Sequence, residues 1–405
     1  MSKFKSSIGI LLTLIVVSAS VNAEYPTSEV NTTGLAVTDD VVTVGILHSV
    51  TGTMAISESG SVEAEKLAIK QINEMGGVLG RQIEIIQEDG ASDWPTFAEK
   101  AKKLLVKDKV ASVFGCWTSA SRKAVLPVFE KENGMLYYPT FYEGLEESKN
   151  VIYTGQEATQ QIIAGLDWVK ETKDAKTFYL IGSDYIWPRT SNKIARKHIE
   201  NVLGGKVVGE EYYPLGHTNF GSLINKIKLK KPDVIYSIVV GGSNVSWYKQ
   251  LKAAGITSDK WTLLTISVTE DEMLGIGGEN VEGFYAAMKY FQSLDNPNNQ
   301  AFVSAFKEMW GDDSVIGDVT QAAYLGPWLW KAAVEKAGSF DIDKIAVASN
   351  GIELDTAPEG YVRIHDSNHH LWSKTRIGIA KTDGQFDVIW ESGLIEPDPF
   401  PEGYQ

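Results

Sequence analysis

A strand-to-helix turn that begins at Gly115 carries the residues of this chain best suited to binding a small molecule. The apolar run 110–114 leads into the turn, and Trp117, Thr118 and Ser119 follow it. The first backbone N–H groups of such a helix have no partner within the helix and point at whatever lies above the strand. Hydroxyls beside them, with an indole wall in place of a charge, favour a small, polar, uncharged ligand. The alternative is that Thr118 or Ser119 only caps the helix.

Strand and helix patterns alternate along most of the chain. Continuous apolar runs such as 41–47 predict buried strands, and helical patterns such as 61–75 separate them. The rhythm restarts after Tyr153, with predicted strands at 177–182 and 234–240. This alternation predicts an α/β fold with two doubly wound parallel sheets, one in each of two lobes.

Four loops at the predicted carboxyl ends of strands are unusually polar or aromatic. They are residues 48–52, 115–121, 137–144 and 182–189. Ligands of doubly wound sheets bind at this edge, and the last of the four loops belongs to the second half of the chain. A site that draws on both halves lies in a cleft between the lobes, and such a cleft can close around its ligand.

The N-terminal residues have the pattern of a secretory signal. Positive charge precedes a short apolar stretch, residues 8–19, and a small-residue cleavage site ends at Ala23. We therefore expect a signal peptide over residues 1–23 and a polar leader over residues 24–40. No later run of about 18 apolar residues follows. These patterns predict a periplasmic protein without a membrane anchor.

Composition and the missing motifs exclude several classes of function. The net charge of −14 without a basic stripe argues against nucleic acid as a partner. There is no phosphate loop, dinucleotide fingerprint or nucleophile elbow, so we expect no enzymatic activity and no cofactor. The single cysteine, Cys116, is expected to be buried and unreactive. His365, His369 and His370 have spacings that could ligate a metal, but we expect them to form hydrogen bonds and predict no metal site.

The polar loops, together with the turn 76–81 and the run 87–93, resemble the urea and short-chain-amide branch of the type I periplasmic binding proteins. The runs 115–123 and 182–189 carry the more specific part of the resemblance. The turn 76–81 marks only the wider branched-chain amino-acid binding class. The resemblance extends from about Val41 to the C-terminus.

The resemblance implies two α/β lobes joined by a three-strand hinge, with the ligand captured between them. It assigns residues 41–154 with about 288–365 to lobe 1, and residues 155–287 with about 366–405 to lobe 2. It further implies that the ligand passes to the membrane permease and ATPase subunits of an ABC transporter.

The resemblance also indicates which residues bind the ligand. They are Trp117, Ser119, Tyr138, Thr140, Tyr185 and Ser267. Reasoning from the residues adds the backbone N–H of Thr118 and the ring of Tyr142. The rings of Trp117, Tyr142 and Trp187 would fill space that a larger ligand would occupy. Hydroxyls both donate and accept, which suits a ligand with one carbonyl and NH2 groups. The alternative for the aromatic residues is packing between the lobes. Glu143 and Asp184 are expected only to orient loops or cap helices.

Urea is the ligand that the resemblance favours. A short aliphatic amide such as formamide or acetamide is the alternative, because Thr140-Phe141 stands where many urea binders carry Val-Gln. An amide-sensing regulator with the same fold is a further alternative, and the predicted signal peptide argues against a cytoplasmic one.

Overall fold

The structure is a computed structural model that describes residues 25–405, so the predicted signal peptide lies outside the described residues. The strands are β1 (Val41–His48), β2 (Gln82–Asp89), β3 (Val113–Gly115), β4 (Leu136–Tyr138), β5 (Val151–Tyr153), β6 (Thr177–Ser183), β7 (Lys206–Tyr213), β8 (Val234–Ile238), β9 (Thr262–Thr265), β10 (Tyr285–Met288), β11 (Glu353–Leu354), β12 (Val362–Ile364), β13 (Leu371–Trp372), β14 (Arg376–Ala380) and β15 (Phe386–Glu391). The helices are α1 (Thr27–Val30), α2 (Ala55–Glu74), α3 (Trp94–Lys102), α4 (Ser119–Glu132), α5 (Ala164–Lys173), α6 (Ile186–Asn201), α7 (Gly221–Lys230), α8 (Ser243–Ala253), α9 (Glu270–Ile276), α10 (Pro297–Trp310), α11 (Asp318–Ala337) and α12 (Ile342–Ser349).

Lobe 1 is built on the first sheet. Of the described strands, five form it in the order β2-β1-β3-β4-β5, and all neighbours run parallel. Helices α2 and α11 pack against each other over this sheet. Strand β1 is apolar on both faces, with Val44 and Leu47 fully buried, because helices cover a parallel sheet on both sides. The small antiparallel sheet β11-β12-β13 shares this core through Val362 and Leu371.

Lobe 2 is built on the second sheet. Seven of the described strands form it in the order β15-β14-β10-β9-β8-β6-β7. Strands β7, β6, β8, β9 and β10 run parallel, while β14 and β15 are antiparallel additions at one edge. The predicted α/β fold with a parallel sheet in each of two lobes is therefore confirmed.

Between residues 25 and 405 the chain passes from one lobe to the other three times. The passages follow β5, β10 and β13. Two of them touch, because Tyr153 pairs with His370 in a parallel bridge and their rings stack with centroids 4.2 Å apart. None of the helices described in this range is long and apolar enough to cross a membrane.

Each sheet has a point at which its strand order reverses. In lobe 1 the reversal falls at β1, which lies between β2 and β3, and in lobe 2 it falls at β6, which lies between β7 and β8. Loops diverge at such a point and leave a crevice at the carboxyl ends of the strands. The two crevices face each other across closed lobes, since the Gly242 N–H donates to the Thr53 carbonyl at 3.1 Å.

Candidate functional site

The turn after β3 holds Trp117 at the lobe 1 crevice. Gly115 has a positive φ of 149°, and a side chain there would collide with the carbonyl of Leu47 on β1. Cys116 follows in the left-handed region and donates its N–H to that same carbonyl at 2.8 Å. Thr118 then caps α4 by accepting the Ser121 N–H at 3.0 Å. The capping alternative is therefore correct for the Thr118 side chain, while the buried Trp117 Nε1 has no hydrogen-bond partner among the described residues.

Ser119 reaches Glu143 rather than open space. Its hydroxyl donates to Glu143 Oε2 at 2.5 Å and accepts from Arg122 Nη1 at 3.2 Å. The other carboxylate oxygen, Glu143 Oε1, lies 3.5 Å from Arg122 Nη2 and accepts no hydrogen bond from residues 25–405. Ser119 thus orients Glu143, and Glu143 offers the free acceptor.

Arg122 anchors a buried ion network beneath the site. Its Nε donates to Glu146 Oε1 at 2.7 Å, and Lys123 Nζ donates to Glu146 Oε2 at 2.8 Å. Burial alone would raise the pKa of Glu146, but Arg122 and Lys123 lower it to about 2. Arg122 also lies over the Tyr138 ring, 4.7 Å from its centroid. The network thus contains two carboxylates, Glu143 and Glu146, and two cations, Arg122 and Lys123. Their charges balance, so the network presents no net charge to a ligand.

Two further residues of the predicted set lie on the segment after β4. The Tyr138 hydroxyl donates to the Trp117 carbonyl at 2.7 Å, so it retains only acceptor capacity. Thr140 is 2% exposed, and its Oγ1 has no hydrogen-bond partner in the described range. Thr140 therefore supplies a hydroxyl that can both donate and accept.

The structure places Tyr142 in the hinge. Its hydroxyl lies 3.1 Å from the Glu146 carbonyl oxygen and 2.5 Å from His370 Nε2. Its ring stacks on Tyr153 with centroids 5.2 Å apart. The polar capacity of Tyr142 is thus engaged within the protein, as the packing alternative predicts.

Lobe 2 contributes Tyr185 and Trp187 at the start of α6. The Tyr185 hydroxyl and Trp187 Nε1 are buried without a hydrogen-bond partner in the part of the chain that the structure describes. Burial raises the pKa of Tyr185, and the nearby Tyr138 and Glu143 raise it further. The phenol therefore lies close to the lobe 1 groups and stays protonated.

Ser267 does not present a free group to the cleft. Its hydroxyl donates to the Val239 carbonyl at 2.8 Å and lies 3.2 Å from Thr265 Oγ1. These bonds tie the loop after β9 to the loop after β8. The structure therefore separates Ser267 from the unpaired groups of the site.

A second acidic group at the lobe 1 crevice was missed by sequence reasoning. Glu58, on the first turn of α2, accepts the Ser49 N–H at 2.5 Å through Oε2, and that oxygen lies 3.6 Å from His48 Nδ1. His48 Nε2 lies 2.9 Å from Glu65 Oε1. Burial alone would lower the pKa of His48, but Glu65 and Glu58 raise it to about 9. The available signal was the spacing of Glu58 and Glu65, about two helical turns apart on one helix face.

The remaining chemical candidates have structural roles. Cys116 is fully buried, and burial raises the pKa of its thiol, so it is unsuited to nucleophilic chemistry. Asp184 pairs with Arg189 at 2.6 Å on the loop after β6. The three C-terminal histidines bond through ring nitrogens: His365 to Glu396 at 3.1 Å, His369 to the Ala346 carbonyl at 3.0 Å and His370 to the Asn368 carbonyl at 2.6 Å.

In the loops 116–121, 139–144 and 184–189, which lie at the cleft, five residues have buried polar atoms that find no partner within residues 25–405. We call them the cleft site: Trp117, Thr140, Glu143, Tyr185 and Trp187. Three come from the predicted set, while Glu143 was expected only to orient a loop and Trp187 only to fill space. Of the other predicted residues, the side chains of Thr118, Ser119, Tyr138, Tyr142 and Ser267 are engaged by the protein itself.

Comparison with known proteins gives the family. The sequence matches the family described as periplasmic binding protein domain over residues 42–405. A leucine-, isoleucine-, valine-, threonine- and alanine-binding protein of Pseudomonas aeruginosa is 28% identical over 331 residues, which are 80% of this chain and 86% of that protein. A protein of Geobacillus stearothermophilus named limonene hydroxylase is 40% identical over 119 residues. That match covers 29% of this chain and spans only 21% of the relative's length, so its activity does not transfer.

Solved structures share the fold. A solute-binding protein of an ABC transporter from R. palustris, in complex with 4-hydroxybenzoate, superposes with a TM-score of 0.80 at 23% identity. The match covers 90% of this chain and 100% of the R. palustris chain. A branched-chain amino acid transporter substrate-binding protein of Streptococcus pneumoniae, in complex with isoleucine, has a TM-score of 0.76 at 20% identity over 86% of this chain and 99% of that chain. The chain belongs to the periplasmic binding proteins, a family of solute-binding proteins rather than enzymes, and it has their two-lobed type I fold.

Proposed function

We propose that this protein captures a small neutral amide, urea in the first place, between its lobes and delivers it to an ABC importer. The observation that supports this is the cleft site, whose buried polar atoms lack partners within residues 25–405. Trp117 and Trp187 offer N–H donors, and Glu143 offers an acceptor. The hydroxyls of Thr140 and Tyr185 do both. A molecule with one carbonyl and NH2 groups pairs with each kind of group, and buried polar groups are costly when left unpaired.

The balance of charge favours a neutral ligand. Arg122 is already paired with Glu146 at 2.7 Å and faces Glu143 at 3.5 Å. A carboxylate ligand would bring a third negative charge beside these two, and burying an uncompensated charge is strongly unfavourable. The relatives that bind amino acids or benzoates take ligands with a carboxylate, so we expect this cleft to differ from theirs in specificity.

The aromatic walls favour a small ligand. Ring centroids lie 5.7 Å apart for Trp117 and Phe141 and 5.4 Å apart for Phe141 and Trp187. Across the lobes, Trp94 and Tyr185 lie 6.4 Å apart. These rings occupy the space that an amino-acid side chain would need, which is a means of excluding larger molecules that the fold otherwise accepts.

The size of the ligand limits its affinity and explains why the cleft must close. At roughly 1.5 kcal/mol for each of about four heavy atoms, urea gains at most about 6 kcal/mol. That free energy corresponds to a Kd on the order of tens of micromolar. Reaching this limit requires that nearly every ligand group be paired in a dry site, which only closed lobes provide.

Isothermal titration calorimetry with a ligand panel tests the proposal. We expect urea to bind with a Kd on the order of tens of micromolar, acetamide and formamide to bind more weakly, and leucine and 4-hydroxybenzoate to give no heat. Binding of leucine or 4-hydroxybenzoate without urea would contradict the proposal. Tighter binding of acetamide than urea would instead identify the short-amide alternative.

We further propose that residues 1–23 direct export to the periplasm, where the permease and ATPase subunits of the importer receive the ligand. The lobe boundaries inferred from the sequence imply rotation of residues 41–154 with about 288–365 against residues 155–287 with about 366–405. Small-angle scattering should then show a more compact protein in saturating urea. Identical profiles with and without urea would contradict hinge closure.

A further inference from the structure

Two buried glutamates at the lobe 1 crevice have the same bonding pattern. Glu143 accepts a hydrogen bond from the Ser119 hydroxyl through Oε2, and Glu58 accepts one from the Ser49 N–H through Oε2, both at 2.5 Å. A basic group stands by each carboxylate but at a different oxygen: Arg122 Nη2 lies 3.5 Å from Glu143 Oε1, and His48 Nδ1 lies 3.6 Å from Glu58 Oε2. In both glutamates Oε1 is buried without a hydrogen-bond partner among residues 25–405. Each therefore has one oxygen held in place and one available.

The topology brings the two carboxylates to the same place. Strands β1 and β3 are neighbours, with Leu47 opposite Gly115. Ser49 and Ser119, which hold the carboxylates, follow directly after these two strands, on either side of the point where the strand order reverses. Glu58 lies on the first turn of α2, at the end of the helix that faces the cleft.

Tyr185 of lobe 2 faces lobe 1 across the cleft, because its ring lies 6.4 Å from that of Trp94 at the start of α3. Burial raises the pKa of the Tyr185 phenol, and the nearby Tyr138, Glu143 and Glu58 raise it further. The Tyr185 hydroxyl is itself unpaired within the described chain.

We propose that Glu58 and Glu143 form a pair of carboxyl acceptors, each offering Oε1 to one NH2 group of a ligand that carries two. This rests on the proposed function and deepens it, because it names the ligand class as a diamide of carbonic acid rather than a monoamide. Glu58 becomes a specificity-determining residue of the cleft site.

The chemistry separates urea from its close analogues. Urea has two NH2 groups on one carbonyl carbon, so both carboxylate oxygens are paired while the carbonyl accepts from the Trp117 N–H or the Tyr185 hydroxyl. Acetamide replaces one NH2 by a methyl group, which leaves one buried carboxylate oxygen facing an apolar group. Sites built to hydrogen-bond a ligand group reject analogues that lack it far more strongly than apolar pockets reject a wrong size.

Glu65 provides a matched control. It lies on the same helix as Glu58, about two turns farther from the cleft, and its carboxylate contacts the other nitrogen of His48 at 2.9 Å. Glu65→Gln changes the charge around His48 as Glu58→Gln does. Unlike Glu58→Gln, it removes no acceptor from the proposed pair.

The test compares urea and acetamide binding by calorimetry for the wild type, Glu58→Gln, Glu143→Gln and Glu65→Gln, with thermal unfolding to confirm that each variant folds. We expect Glu58→Gln and Glu143→Gln each to weaken urea binding by about tenfold or more. Because acetamide has one NH2 group and can pair with only one of the two carboxyl groups, at least one of the two variants should weaken acetamide binding by less than about threefold. Glu65→Gln should bind both ligands as the wild type does. If Glu58→Gln fails to fold, Glu58→Asp, which withdraws the oxygen but keeps the charge, should show the same selective loss.

Two results would overturn the acceptor pair alone. One is an equal loss of urea and acetamide affinity in both Glu58→Gln and Glu143→Gln, which would show that the two carboxyl groups maintain the shape of the site and do not select the ligand. The other is a loss for Glu65→Gln as large as that for Glu58→Gln, which would assign the effect to His48. A wild-type protein that binds neither ligand would instead overturn the proposed function, and with it the pair.

Discussion

The two lobes contribute unequally to the cleft. Lobe 1 brings a buried ion network in which Arg122 is fully buried, together with the free carboxylate oxygen of Glu143. Lobe 2 brings the phenol of Tyr185 and the indole of Trp187, and it holds the Arg196 ion pairs at its surface with 37% of that side chain exposed. From this difference we expect lobe 1 to supply most of the selectivity of the proposed site, and lobe 2 to complete the site when the lobes close.

The largest expected effect distinguishes the ion networks of the two lobes. Arg122→Met leaves the buried Glu143 without its cation and Glu146 with Lys123 alone, and we expect a loss of about 3–5 kcal/mol in the free energy of unfolding. Arg196→Met in lobe 2 removes only exposed pairs and should cost less than about 1 kcal/mol. Thermal unfolding of both variants measures the difference. Equal losses would show that lobe 1 has no special dependence on its buried network.

The next effect is the pH dependence of lobe 1 through His48. Its folded pKa of about 9 lies above its ordinary value of 6.5, so its stabilising contribution is complete below pH 6.5 and is lost as the pH rises towards 9. This shift corresponds to about 3 kcal/mol. We expect the stability difference between the wild type and His48→Gln to shrink over this range.

Unfolding midpoints measured across the same pH range provide the check. His198→Gln in lobe 2 is the control, because its partner Asp167 is 44% exposed. A wild-type advantage over His48→Gln that stays constant from pH 6.5 to 9 would contradict a protonated His48.

A smaller effect on affinity is expected to distinguish the hydroxyls of Thr140 and Ser267, which the sequence analysis predicted to lie in one site. Thr140 in lobe 1 has a free buried hydroxyl, whereas the Ser267 hydroxyl in lobe 2 already donates to the Val239 carbonyl at 2.8 Å. Thr140→Val should weaken urea binding by about 1–3 kcal/mol. Ser267→Ala should leave it unchanged. Calorimetry in which Ser267→Ala loses as much affinity as Thr140→Val would remove the contrast between the lobes.

The smallest expected effect concerns the lobe 2 contribution itself. Tyr185→Phe removes one neutral hydrogen bond and should weaken urea binding by about 0.5–1.5 kcal/mol. Tyr236→Phe, within β8, deletes another buried hydroxyl of the same lobe and should leave urea affinity at the wild-type value. A larger loss for Tyr185→Phe than for Thr140→Val would reverse the assignment of selectivity to lobe 1.

Apolar periodicity was sufficient to predict the sheets but not the polar ends of their helices. The predicted helix at 61–75 begins at Ala55 in the structure. Its first turns carry Ser57, Glu58 and Ser61, which are buried although they are polar. A prediction that treats polar residues as exposed cannot recognise a buried polar helix face. For the same reason Glu58 was not included in the predicted site.

The sequence predicted the turn after β3 correctly because its signals are local. A glycine close to a neighbouring strand, a capping threonine and a helix N-terminus all lie within a few residues. The placement of Tyr142 was not predictable in this way. Its hydroxyl meets His370, which is 228 positions away along the chain, so only the assembled hinge shows that the ring is packed there.

A crystal structure of the protein grown with urea tests the central claim most directly. We predict one urea molecule in the closed cleft, with its NH2 groups bonded to carboxylate oxygens of lobe 1, Glu143 among them. Thr140 and Tyr185 should lie within hydrogen-bond distance of it. Urea bound mainly to lobe 2 groups, or an empty cleft at saturating urea, would contradict the account.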